Sequence, residues 1–127
     1  MSTGLTLSVL PNTCAICRLD RRDPIPTWAS RSPFFSITRT ADELTTVCLE
    51  SDVPEDVQAD KGWKVLKVLD SESMSQVGVI RSLCSPLAEA GISLHAVSTC
   101  DAKYLILREK RLQQALSVLI GRGNQIV

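Results

Sequence analysis

The second half of the chain constrains the fold most, because from residue 62 onward strand and helix signals follow in the order β-α-β-β-α. Residues 64–69 are a nearly continuous apolar run, as a strand in the middle of a sheet requires. Across 77–90, Val79, Ile80, Leu83, Cys84, Leu87 and Ala90 recur at helical spacing, and Gly91 stands where a helix C′ residue belongs. Pro86 lies inside that pattern and removes a backbone donor, which predicts a bend or a local break. Residues 92–98 and 104–108 read as strands joined by 99–103. Leu112, Ala115, Leu116, Leu119 and Ile120 form the apolar face of a closing helix that ends before Gly121 and Gly123, and Ile126 with Val127 adds a short final strand.

The first half is shorter in its signals. Residues 5–9 and 13–19 are apolar runs separated by Leu10-Pro11-Asn12, which predicts a hairpin. Residues 20–33 hold three of the six prolines and read as a loop with at most a turn of helix near Trp28. Residues 34–38 and 45–49 are rich in β-branched and aromatic side chains, so two more strands are expected. The polar, acidic stretch 51–61 is the best internal boundary. It divides the chain into an abbreviated unit over 1–60 and a complete one over 61–127.

The halves also match each other. Laying 40–50 over 99–109, an offset of 59, pairs Thr40 with Thr99, Asp42 with Asp101, Glu50 with Glu109, and Val47-Cys48 with Ile106-Leu107. Upstream, at an offset of 50, Leu19-Asp20 lies over Leu69-Asp70. Two copies of one unit account for both offsets if the first copy is nine residues shorter where the second has its first helix.

Composition removes several classes of function. At 127 residues with 44% hydrophobic content, the chain fits one ordinary domain or two very small ones and can bury a core. Fourteen basic and fourteen acidic residues cancel, so no positive field favours nucleic acid. Residues 1–10 lack the features of a targeting segment, and no stretch approaches the roughly 18 apolar residues of a membrane span. A soluble, cytoplasmic protein with no nucleic-acid or membrane partner is expected.

Five cysteines, an odd number, do not make a secreted disulfide framework. Cys14-Ala15-Ile16-Cys17 has Cys-x-x-Cys spacing, but on a strand it turns the thiols to opposite faces, away from the helix start that a redox pair needs. Two further zinc ligands at suitable spacing are lacking. His95 has no nucleophile nearby, and no phosphate-cradling loop or Ser-His-Asp order occurs. The chain is expected to be no enzyme and to carry no cofactor or metal.

Several short motifs in order resemble the ACT domain family. They are Gly62-Trp63-Lys64-Val65-Leu66-Lys67-Val68, Gly78-Val79-Ile80 opening a helix, Pro86-Leu87-Ala88-Glu89-Ala90-Gly91-Ile92-Ser93, and Val97-Ser98-Thr99 before a strand. Ser36-Ile37-Thr38-Arg39-Thr40 and Asp42-Glu43-Leu44-Thr45 are similar to the partner segment of stand-alone tandem ACT proteins, a group related to the ACT repeats of aspartate kinases and animal arginine sensors. Spacing alone implies only an α+β sandwich. The resemblance implies a ferredoxin-like βαββαβ unit, two ACT-like units in tandem with the first abbreviated, antiparallel sheets and helices on one face. It further implies a regulatory, amino-acid-binding homodimer whose small ligand lies at the junction of paired units.

An amino-acid ligand needs donors for its carboxylate beside acceptors for its ammonium. A helix opening at Val77-Gly78-Val79 offers backbone amides and a positive dipole end, with Gly78 permitting close approach. Asp70 and Asp101, with the hydroxyls of Thr99 and Thr45, could accept from the ammonium. By resemblance Gly78, the Thr99-Cys100 backbone and Thr45-Thr46 match positions that line such a junction. Relatives commonly carry an acidic residue where this chain has Lys103, which, facing the site, disfavours a cationic side chain and favours an acidic or neutral ligand, or no ligand at all. Gly78 is equally readable as a helix-start glycine, Asp70 as a cap, and Thr99 with Asp101 as a plain hairpin connection. A structural module that oligomerises through a sheet edge without binding a metabolite is the competing function.

Overall fold

Strand β1 (Thr6–Val9) and strand β2 (Cys14–Leu19) do not form the expected hairpin. β1 instead pairs antiparallel with β5 (Asp60–Val68), Leu7 opposite Val68, and parallel with β8 (Gln125–Ile126). The reason is burial. Leu5 and Leu7 are core residues packed with the helices of the second half, a destination that a local turn at Pro11 cannot reveal. Met1–Pro11 and Lys64–Val127 accordingly form one compact unit, and Asn12–Trp63 another. The structure, a computed structural model, describes residues 4–69 and 76–127.

The unit of Met1–Pro11 and Lys64–Val127 adds helix α1 (Gln76–Glu89), strands β6 (Leu94–Ser98) and β7 (Lys103–Arg108), and helix α2 (Leu112–Gly121). Its strands stand in the order β6-β7-β5-β1-β8. Leu66, Val68, Leu105 and Leu107 pack against Val79, Leu83 and Leu87 of α1 and Ala115 and Leu119 of α2. Each leucine sealed this way stabilises the unit by roughly 1.5–3 kcal/mol. The result is a mixed α+β sandwich of the ferredoxin-like type, its two helices sharing one core with the sheet.

Both helices end in the same way. The amide of Ile92 donates to Leu87 O and that of Gly91 to Ala88 O, with Gly91 at φ +74°; past α2, Asn124 N donates to Leu119 O and Gly123 N to Ile120 O, with Gly123 at φ +91°. Glycine takes this left-handed conformation without a Cβ penalty, and the paired bonds satisfy carbonyls the helix leaves open. Pro86 does not break α1, contrary to expectation: the helix runs on to Glu89, and Ala90 N closes a turn onto Pro86 O at 3.1 Å. Pro86 lies in the last turn of α1, where its missing donor removes one intrahelical bond without ending the helix.

In Asn12–Trp63, β2 pairs antiparallel with β4 (Leu44–Leu49), which pairs with β3 (Ser36–Arg39), and Asp60 and Trp63 of β5 lie opposite Ile16 and Cys14. One face of this sheet carries Ala15, Cys17 and Cys48, which pack with Val53, Trp28, Val57 and Ala59. No α-helix occurs among the described residues here. Both helix positions of the repeat are reduced, the first to the 3-10 turn Thr27–Ser30 and the second to the turn Glu50–Asp52 with its following loop. The offset of 59 is nevertheless exact where it was read: β4 becomes β7, and the turn Glu50–Asp52 becomes the turn Glu109–Arg111.

Candidate functional site

The β6-β7 connection contains Thr99, Cys100 and Asp101, all exposed. Thr99 N donates to Ala102 O at 2.8 Å, and the Thr99 hydroxyl accepts from Ala102 N at 3.0 Å. The repeat-related turn does the same: Thr40 N donates to Glu43 O, and the Thr40 hydroxyl accepts from the amides of Asp42 and Glu43. The shared threonine therefore closes a hairpin turn in both copies, the plain reading of that residue. Asp101 and Cys100 remain turned to solvent.

Lys103 is only 7% exposed. Strand alternation puts it on the same side of β7 as Leu105 and Leu107, the side that meets the helices. Its counterpart in the repeat is Leu44, fully buried, so the lysine occupies a core position and buries its aliphatic stem there. At the start of α1, Val77 is 75% exposed, Gly78 is half-buried and Val79 is locked into the core, leaving Val79 only its backbone for a ligand. Asp70 lies outside the described residues.

Thr45 and Thr46 fall on opposite faces of β4. The Thr45 hydroxyl donates to Glu43 Oε1, and Thr45 lies opposite Arg18 of β2. Thr46 is fully buried, its hydroxyl lacking a well-formed hydrogen bond among the described residues, directly across from Cys17. Burial pushes the Cys17 thiol up, against a smaller lowering by the Thr46 hydroxyl and Lys61. Cys48, in the same core, is pushed up to about 12, first by burial and then by its neighbours Cys17, Asp52 and Cys14. Thiols held protonated in this way are poor nucleophiles and poor metal ligands.

The opposite face of β2 borders a cleft of about 530 Å³ lined by Ile16, Arg18, Gln58, Ala59 and Asp60. Half-buried Ile16 makes an apolar floor, Ala59 borders it, and Arg18, Gln58 and Asp60 are exposed at its rim. The Arg18 guanidinium makes no hydrogen bond or ion pair among the described residues. The cleft thus offers one positive and one negative group over an apolar surface. None of its five lining residues was singled out from the sequence. The available signal was Arg18, a lone charge inside the strand Cys-Ala-Ile-Cys-Arg-Leu; its neighbours 58–60 belong to a distant polar segment whose pairing with β2 no local pattern shows.

Comparison with known proteins agrees with the architecture. The family model for the ACT domain matches residues 58–120, and a model for an N-terminal domain matches 12–56. A crystal structure of a protein from Agobacterium tumefaciens is 35% identical, with a TM-score of 0.93 over 99% of this chain and 94% of that one. The cytosolic arginine sensor for mTORC1 subunit 1 of rat and of mouse is 32% identical over 71% of this chain. The chain spans about 30% of the length of those curated relatives. The regulatory subunit of aspartate kinase from Thermus thermophilus has the same fold, with a TM-score of 0.61 over 96% of this chain and 99% of that one at 9% identity. No helix among the described residues is long and apolar enough to cross a membrane. On the matched models, the repeat and the fold together, the chain belongs to the ACT domain family.

Proposed function

We propose that this protein is a regulatory, small-molecule-binding ACT protein of the cytoplasm that senses an amino acid, acts as a homodimer and has no catalytic activity of its own. The observation that carries this reading is the cleft bordered by Arg18 and Asp60, a small-molecule-sized concavity in a chain of a regulatory family. Support comes also from the arginine sensing for which the rat and mouse relatives are named. The positive rim residue Arg18 argues against a cationic side chain and for a neutral or acidic one. The exposed residues Val77, Cys100 and Asp101, the half-buried Gly78 and Thr45, and the backbone at Thr46, Val79 and Thr99 are further proposed contacts, each within its own unit.

A screen of the twenty amino acids by thermal shift tests the reading. A binder at a hundred times its dissociation constant stabilises the fold by about 2.7 kcal/mol, a rise of several degrees for a chain of this size. No shift with any amino acid at millimolar concentration overturns it. A second reading, an interaction module without a ligand, draws on the edge strands: β6 pairs with β7 alone and β3 with β4 alone among the described residues. Sedimentation velocity distinguishes the two when combined with the screen, since the module predicts dimers with no ligand response.

A further inference from the structure

We infer that the cleft of Asn12–Trp63 binds a free α-amino acid with a neutral side chain, Arg18 taking its carboxylate and Asp60 its ammonium. The inference rests on the reading of the protein as an amino-acid sensor and adds the site, the recognising groups and the side-chain class. Asp60 is the direct cross-strand partner of Ile16, and Arg18 lies two residues further along β2 on the same face. Such diagonal neighbours stand roughly 7–8 Å apart, enough for the head group of an amino acid to enter between their side chains.

The guanidinium is available for this. It makes no hydrogen bond or ion pair among the described residues, and the hydroxyl of its cross-strand neighbour Thr45 is committed to Glu43. A guanidinium offers two parallel N–H donors to a carboxylate, a geometry a lysine cannot supply. Asp60 accepts from the ammonium, and the amide of exposed Gln58 stands ready to donate or accept beside it. The two opposite charges select against simpler ligands. A plain anion such as phosphate is repelled by Asp60, and a plain amine by Arg18.

The floor sets the side chain. Ile16 presents apolar surface, so a neutral side chain gains by burial. A second positive charge would meet Arg18, and a second negative one Asp60. The cleft, about 530 Å³, lies within the range of roughly 300–1,000 Å³ typical of small-molecule sites.

The test uses the full chain, with each of the twenty L-amino acids titrated by calorimetry. A neutral amino acid is expected to bind, and Arg18→Gln and Asp60→Asn are each expected to weaken it roughly tenfold to a hundredfold, the loss for one charge-assisted bond. The carboxylic acid of the binder lacking its amine should bind wild type weakly, and Asp60→Asn should narrow that gap. Both side chains are exposed, so urea unfolding of the variants should match wild type. If no amino acid binds, the sensor reading and this site fall together. If one binds with affinity unchanged in both variants but lost in Asp101→Asn or Thr99→Val, the sensor reading stands and the cleft is excluded.

Discussion

The side chain of Asn124 ties the two ends of one unit together: its Oδ1 accepts from Leu5 N at 3.0 Å while its Nδ2 donates to Leu119 O at 2.9 Å. Asn124 is buried, so neither bond competes with water. The first accepts the amide at the entrance of β1, and the second adds a side-chain donor to Leu119 O, which already accepts from Arg122 N and Asn124 N. Asn124→Ala leaves the buried amide of Leu5 without its acceptor. The expected loss is about 2–3 kcal/mol in urea unfolding. A loss under about 0.5 kcal/mol would show that β1 finds its place without this clamp.

The helix ends give a paired test. A Cβ placed on Gly91 meets nothing within 4 Å, so the only penalty of Gly91→Ala is its φ of +74°. That costs about 1–2 kcal/mol. Gly121 closes α2 with open space at its Cβ position and no positive φ, so Gly121→Ala should be neutral or stabilise by up to about 1 kcal/mol. Opposite signs in thermal unfolding are the expected result; equal effects would remove the conformational account of Gly91.

Ser32 anchors the proline-rich loop of the abbreviated unit. Its hydroxyl donates to Asp52 Oδ2 at 2.8 Å and accepts from Leu49 N at 2.9 Å. The residue is buried, and it links the loop to the end of β4 and to the turn Glu50–Asp52. Ser32→Ala removes both bonds and should cost about 1–3 kcal/mol. Amide exchange should reveal the loss chiefly as faster exchange at Leu49; unchanged exchange there would mean the bond contributes nothing.

These contacts mark the limit of what the sequence could show. The periodic helices and the offset of 59 were legible because core faces and turns repeat locally, down to the threonines at 40 and 99 that close equivalent hairpins. The partner of β1 was not legible, because the apolar residues Leu5 and Leu7 specify a core but not which strand delivers them to it. The helix continues through Pro86 because that residue falls in the last turn, a boundary that spacing fixes only to within a few residues. The cleft escaped notice for a similar reason: Arg18 and Asp60 become neighbours only through the pairing of β2 with β5. From the sequence Lys103 is a ligand contact on the condition that it faces the site, and its repeat position, shared with Leu44, places it in the interior.

The buried thiols predict a pH response. Cys48 rises from an ordinary 9.0 to about 12 in the folded protein, so above pH 9 the unfolded chain releases a proton that the folded one retains. Stability is then full below about pH 9 and falls as pH climbs toward 12, by at most about 1.4 kcal/mol per pH unit for one such group. Cys17 and Cys84 are also raised, with burial as the first cause, and act in the same direction. Urea midpoints measured from pH 8 to 10 should decline, and Cys48→Ala should flatten part of that decline although the variant is less stable at neutral pH. An alkylating reagent supplies an independent check: exposed Cys100 should react in the native state, while Cys48 should react only on unfolding. A slope identical in wild type and Cys48→Ala would mean that this thiol has no part in the alkaline loss.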